Sequence, residues 1–154
     1  MKTQLKNFFK SFRYAAKGVC SAFKQERNMR FHLVAAVYVY AFSLFYQFTR
    51  LEYAVITICV AGVIALELLN TAVERAVEKP GNPYDARVGQ VKDIAAGAVF
   101  IFSIGAAICG LLLFWRYQTV VYIVQWFFQA PWRIAAFLTV TFFAGHFIFK
   151  SEDK

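Results

Sequence analysis

Two glutamates seven residues apart, Glu67 and Glu74, close an apolar stretch with Asn70 between them. They follow 14 uncharged residues, 53–66. The spacing i, i+3, i+7 puts all three on one face of a helix. A charge inside or at the edge of a bilayer is expensive, so such a residue marks a functional site by default. Acidic oxygens at an aqueous boundary can bind Mg²⁺, which usually sits on one or two carboxylates plus substrate phosphates. A further carboxylate can take the proton of a hydroxyl, and a nearby lysine can neutralise phosphate charge. That set suits phosphoryl transfer, where catalysis is mostly positioning and electrostatic stabilisation. The competing reading of the same stripe is polar glue between two membrane helices.

The elements that must hold these residues are mostly apolar. The chain has 154 residues, enough for one domain, and is 60% hydrophobic and only 17% charged. Soluble domains carry about 25% charge. Uncharged runs cover 31–49, 53–66, 94–115 and 134–149. A membrane span needs roughly 20 mostly apolar residues, with a range of about 17–25. The first and third runs are long enough alone. The second reaches that length only if the helix continues through Glu67, Asn70 and Glu74. The fourth is shorter. The expected spans are 31–48, 53–77, 91–114 and 132–149.

Ahead of them, residues 2–25 place Leu5, Phe8, Phe9, Phe12, Ala15, Ala16, Val19 and Phe23 at helical spacing, with Lys2, Lys6, Lys10, Arg13, Lys17 and Lys24 over much of the rest. A basic helix with an aromatic face fits an interfacial helix. The alternative is a helix packed on the protein's own spans. Residues 1–30 have no apolar core of signal-peptide type. Residues 117–132, with Tyr122, Trp126 and Trp132, suit the opposite membrane interface. His146 suits a core or snorkelling role better than a ligand's.

Net charge is +8, and eight of the 17 Lys and Arg precede Phe31. No nucleic-acid signature accompanies them, so an anionic membrane surface is the expected partner. With the N-terminus inside, 14 Lys and Arg fall on inner segments and only Arg50, Arg116 and Arg133 on outer ones. Positive charge favours the cytoplasmic side. Glu26, Arg30, Glu67, Asn70, Glu74, Lys92 and Asp93 are therefore expected to converge there. Cys20, Cys59 and Cys109 are an odd set without a disulfide or zinc pattern, expected as small core residues. The Walker, dinucleotide-binding and protein-kinase motifs are all missing, so phosphoryl transfer here needs another architecture.

At these residues the chain resembles a known family. The stretch Glu67-Leu68-Leu69-Asn70-Thr71-Ala72-Val73-Glu74, then Val91-Lys92-Asp93-Ile94-Ala95-Ala96-Gly97-Ala98-Val99, is similar to the signature of the small prokaryotic membrane kinases of diacylglycerol and undecaprenol. Upstream, Phe8-Phe9-Lys10-Ser11-Phe12, Lys17-Gly18 and Glu26-Arg27-Asn28 with His32 resemble the Gram-positive undecaprenol kinase branch. The resemblance covers about residues 5–115. It implies a homotrimer of three-span subunits in the bacterial inner membrane, using ATP and Mg²⁺ at cytoplasmic sites between subunits. It implies Glu67 as general base toward the lipid hydroxyl, Asn70 ordering the site, and Glu26 and Glu74 on the metal and the nucleotide. Lys92 and Asp93 would contact ATP, with Tyr14 and the loop Pro83, Tyr84 and Asp85 near it, and Ala96 would lie against the lipid. Glu78 stands where the family commonly has Asp.

The expected fold class is all-α integral membrane. Residues 1–30 form a surface helix and junction, 31–116 a three-span kinase core, and 117–154 an extension with a fourth span. Undecaprenol is the expected acceptor and diacylglycerol the alternative. A small proton-coupled exporter predicts a carboxylate near the midplane, whereas these acids cluster at one end. A non-enzymatic scaffold leaves the stripe unexplained.

Overall fold

The computed structural model describes residues 2–78 and 86–150, and every regular element among them is helical. Helix α1 spans Lys2–Gln25 and α2 Arg27–Ser43, with Glu26 between them in an extended conformation (φ −103°, ψ 120°). One non-helical residue is enough to turn the chain, and Glu26 N–H still bonds the Ala22 carbonyl at 2.8 Å. Helix α3 is Arg50–Val77, α4 Ala86–Phe114, α5 Tyr117–Phe128 and α6 Pro131–Phe149. Pro131 opens α6 where its missing N–H costs nothing.

Three of these helices are long and apolar enough to cross a membrane: α3, α4 and α6. Beyond Asp93 helix α4 is apolar all round, yet only 6% of its most apolar window is buried within the protein. A helix apolar on every side is normally buried in a core or in a bilayer, and α4 has little core around it. The first expected span needs correction. Its helix stops at Ser43, 17 residues from its start, and does not reach residue 48. The uncharged run continues to Thr49, so charge gave no sign of the stop. Aromatic packing decides it. Tyr46 and Phe48 stack at 5.0 Å and both meet the Phe114 ring, at 4.9 and 5.1 Å. The Tyr46 hydroxyl donates to the Phe114 carbonyl at 2.8 Å, satisfying a C-terminal acceptor of α4. Burial pushes this phenol above the ordinary tyrosine range, against the pull of the Arg116 charge.

Packing runs in the order α4, α3, α2, α6. The closest pair is α3 with α4, and Gly62 permits it: a Cβ there would collide with the Phe102 ring. On the other side of α2, the Tyr38 hydroxyl and Thr141 Oγ1 share a hydrogen bond of 2.8 Å. Phe137 of α6 meets the Tyr38 and Phe42 rings edge-on, at 6.0 and 6.1 Å. The extension after α4 is thus packed onto the core. The cysteines are free thiols as expected, but Cys20 is exposed and only Cys59 and Cys109 are partly enclosed.

Candidate active site

In the second half of α3 the usual burial order is inverted. Glu67, Asn70 and Thr71 are 3%, 6% and 5% exposed, while Leu69 on the opposite side is 61% exposed. Buried polar groups are the informative ones. The sequence places them on one face, and that face is the one the α1–α2 corner covers, with Ala22 and Met29 themselves buried. Asn28, in the first turn of α2, places its side chain beside the Glu67 carboxylate. Glu67 also lies within the fields of Glu74 and Glu26, so three carboxylates share one neighbourhood.

The rest of the cluster is bonded in short steps. Asn70 Nδ2 donates to Glu74 Oε1 at 3.0 Å, four residues along the same face. Its Oδ1 is buried with no partner. An orphan acceptor of this kind costs about 1–3 kcal/mol, and each one in a native structure calls for an explanation. Glu26 Oε1 accepts from Arg75 of α3 at 2.9 Å, and the same guanidinium donates to Ser21 Oγ of α1 at 3.2 Å. Lys92 of α4 pairs with Glu78 at 2.6 Å.

Glu26, Glu67, Asn70 and Glu74 are therefore brought together, with Lys92 paired to Glu78, the residue that ends α3. Tyr14, Asp93 and Ala96 are exposed, and among the described residues none of the three bonds to the cluster. Pro83, Tyr84 and Asp85 lie outside the described residues. Arg30 turns away from the cluster toward the carbonyls of Lys24 and Ile148. Three contributors were not singled out from sequence: Asn28, Ser21 and Arg75. Asn28 had one signal, its place in the motif Glu26-Arg27-Asn28, but no role was assigned to it. Arg75 entered only as a charge.

Among the described residues, no three His, Cys, Asp or Glu side chains are placed to hold a metal ion by themselves. Mg²⁺ takes one or two carboxylates and completes its oxygen shell from phosphates and water. The orphan Asn70 Oδ1 and the clustered carboxylates supply hard oxygen donors of the kind it needs. On the apolar side of Glu67, a cavity of about 340 Å³ opens between α2, α3 and α4. Val63 and Ile64 line it within one turn of Glu67, and Phe31, Ala36 and Leu113 continue it. Ligand sites are mostly apolar, with a few polar groups that fix orientation.

Comparison with known proteins assigns this architecture. Residues 13–114 match the family model of prokaryotic diacylglycerol kinase. An undecaprenol kinase of Bacillus subtilis (strain 168) is 36% identical over 113 residues, 73% of this chain and 92% of that protein. A diacylglycerol kinase of Synechocystis is 39% identical over 105 residues, 68% of this chain but only 60% of the relative. A diacylglycerol kinase of Haemophilus influenzae is 33% identical over 113 residues, 73% and 92% of the two chains. The match ends where α4 ends, leaving α5 and α6 outside it. The chain thus belongs to the prokaryotic diacylglycerol kinase family and is an ATP-using lipid kinase.

Proposed function

We propose that this kinase transfers the γ-phosphoryl group of ATP, with Mg²⁺, to the hydroxyl of undecaprenol. The observation that carries the reading is Glu67, 3% exposed, one helical turn beyond Val63 and Ile64 of the apolar cavity. A lipid alcohol with its tail in that cavity would present its hydroxyl to this carboxylate. Glu67 takes the hydroxyl proton as the oxygen attacks the γ-phosphorus, and ADP leaves with the bridging oxygen. Asn28 and Asn70 keep the carboxylates in register. Glu26 and Glu74 would hold Mg²⁺, which when bound neutralises phosphate charge. Lys92 exchanges Glu78 for a phosphate oxygen, with Asp93, Tyr14 and the loop of Pro83, Tyr84 and Asp85 serving the nucleotide and Ala96 the lipid. This division of labour is supported by the chemistry of the donors and by family membership.

Undecaprenol is preferred because Phe8-Phe9-Lys10-Ser11-Phe12 and Glu26-Arg27-Asn28 with His32 resemble that branch, and the B. subtilis undecaprenol kinase is among the relatives. Diacylglycerol is the second reading, favoured by the names of the other relatives. The lysine and arginine asymmetry supports a cytoplasmic site in the bacterial inner membrane. Exposed Phe8, Phe9 and Phe12 on α1 support a helix lying on that surface. Helix α2, at 17 residues, is at the short end of what spans a bilayer, about 17–25; we take it as the first span, and the assembly as a homotrimer. A panel of lipid alcohols in detergent, with Mg²⁺ and γ-labelled ATP, tests the reading. Undecaprenol is expected to be phosphorylated with the highest kcat/KM. Preference for diacylglycerol would replace the acceptor, and label in no lipid would overturn the reading.

A further inference from the structure

The extension after residue 114 lies outside the family match, yet its last turn meets the corner that covers the site. Arg30, 7% exposed, sits in that corner. Its Nη1 donates to the Lys24 carbonyl at 2.8 Å and its Nε to the Ile148 carbonyl at 3.3 Å. Both acceptors belong to the last turn of a helix, α1 and α6, where carbonyls lack partners inside the helix. A cation is favoured at that end by the helix dipole. Arg27 adds a second contact, its guanidinium 6.0 Å from the centre of the Phe149 ring. The neighbouring Glu26 is held by Arg75 of α3. The corner is therefore gripped twice, by α3 through Glu26 and by α6 through Arg30.

We propose that α6 is a strap on the active site and Arg30 its positioning residue: by capping α1 and α6 with one guanidinium, Arg30 fixes the α1–α2 corner and so the place of Glu26 relative to Glu67 and Glu74. Arginine suits the task because its planar fork carries several donors in fixed directions, whereas a lysine is a single point charge on a flexible stem. Arg30 touches neither substrate nor reacting atoms in this scheme. The effect on turnover rests on the kinase reading above; the effect on the corner does not.

The test uses the full chain with Arg30→Ala, Arg30→Lys and Phe149→Ala. Amide hydrogen exchange should speed up in two places at once in Arg30→Ala, residues 22–27 and 146–150. Half-saturating Mg²⁺ should rise about tenfold, the lower end of what loss of a supporting residue costs a metal site, with kcat within about threefold. Arg30→Lys should recover part of both changes. Phe149→Ala, which leaves Arg30 intact, should move both in the same direction by less, and it decides the matter if Arg30→Ala does not fold. Faster exchange at one of the two segments alone, or kcat falling with the Mg²⁺ requirement unchanged, would overturn the proposal. If no lipid is phosphorylated at all, the kinase reading fails, and the paired exchange result still decides whether α6 straps the corner.

Discussion

Of the three carboxylates on helix α3, Glu52 near its start and Glu67 in its second half are housed in opposite ways. At the start of the helix Glu52 is fully occupied. It accepts from the Thr49 N–H at 2.7 Å and the Thr49 hydroxyl at 2.8 Å, while its own N–H donates to Thr49 Oγ1, a capping box. Arg116 completes the set and also covers the Phe48 ring at 4.9 Å. Every contact there fastens one element to another. Near the other end, Glu67 is more deeply buried, faces two further carboxylates, and neighbours an asparagine oxygen with no partner. Satisfied charges hold a structure together. A buried acid among like charges, beside an unfilled acceptor, is an arrangement that folding alone does not reward. The difference separates a residue that builds the fold from one that uses it.

The comparison can be broken by four substitutions. The largest effect is expected from Glu67→Gln, which keeps shape and removes the base. Turnover should fall about 10²–10⁴-fold, the range for general-base catalysis, in a labelled-phosphate assay. A loss below tenfold would put Glu67 in the same class as Glu52. Glu74→Gln should raise half-saturating Mg²⁺ by about tenfold or more, read from a metal titration of initial rates. An unmoved titration would remove Glu74 from the metal site. Gly62→Ala tests the packing between the two ends. Overfilling a packed contact costs about 1–3 kcal/mol, and here the new methyl meets the Phe102 ring. Thermal unfolding in detergent should show the loss, and an unchanged midpoint would mean that α3 and α4 can part freely. The smallest effect is expected from Glu52→Ala, about 0.5–2 kcal/mol for a lost helix cap, with turnover per folded molecule close to that of the parent. A collapse of kcat in that variant would erase the distinction.

The polar stripe was legible in the sequence for a physical reason: charges are so costly in apolar helices that each stands out against its run. The run 94–115 foretold α4 by its length, α3 followed once its helix was carried through Glu67 and Glu74, and the expected span 132–149 matches α6 to within a residue. The end of α2 was not legible, because the stop at Ser43 is made by Tyr46 and Phe48 packing on Phe114, far along the chain. Arg30 was misassigned for a similar reason. Its charge placed it on the inner side, but its partners are two backbone carbonyls, which carry no sequence signal. Asn28 and Arg75 reach the site only because the α1–α2 corner folds over α3. Spacing along one helix can be counted, whereas meetings between helices depend on packing.

One measurement goes to the centre of the account. Parent protein and Glu67→Gln are each loaded with MgATP in the same micelles, mixed with undecaprenol, and followed through a single turnover. The account predicts equal nucleotide loading, rapid formation of undecaprenyl phosphate by the parent, and formation at least about 100-fold slower by the variant. Equal rates from equally loaded proteins would contradict it.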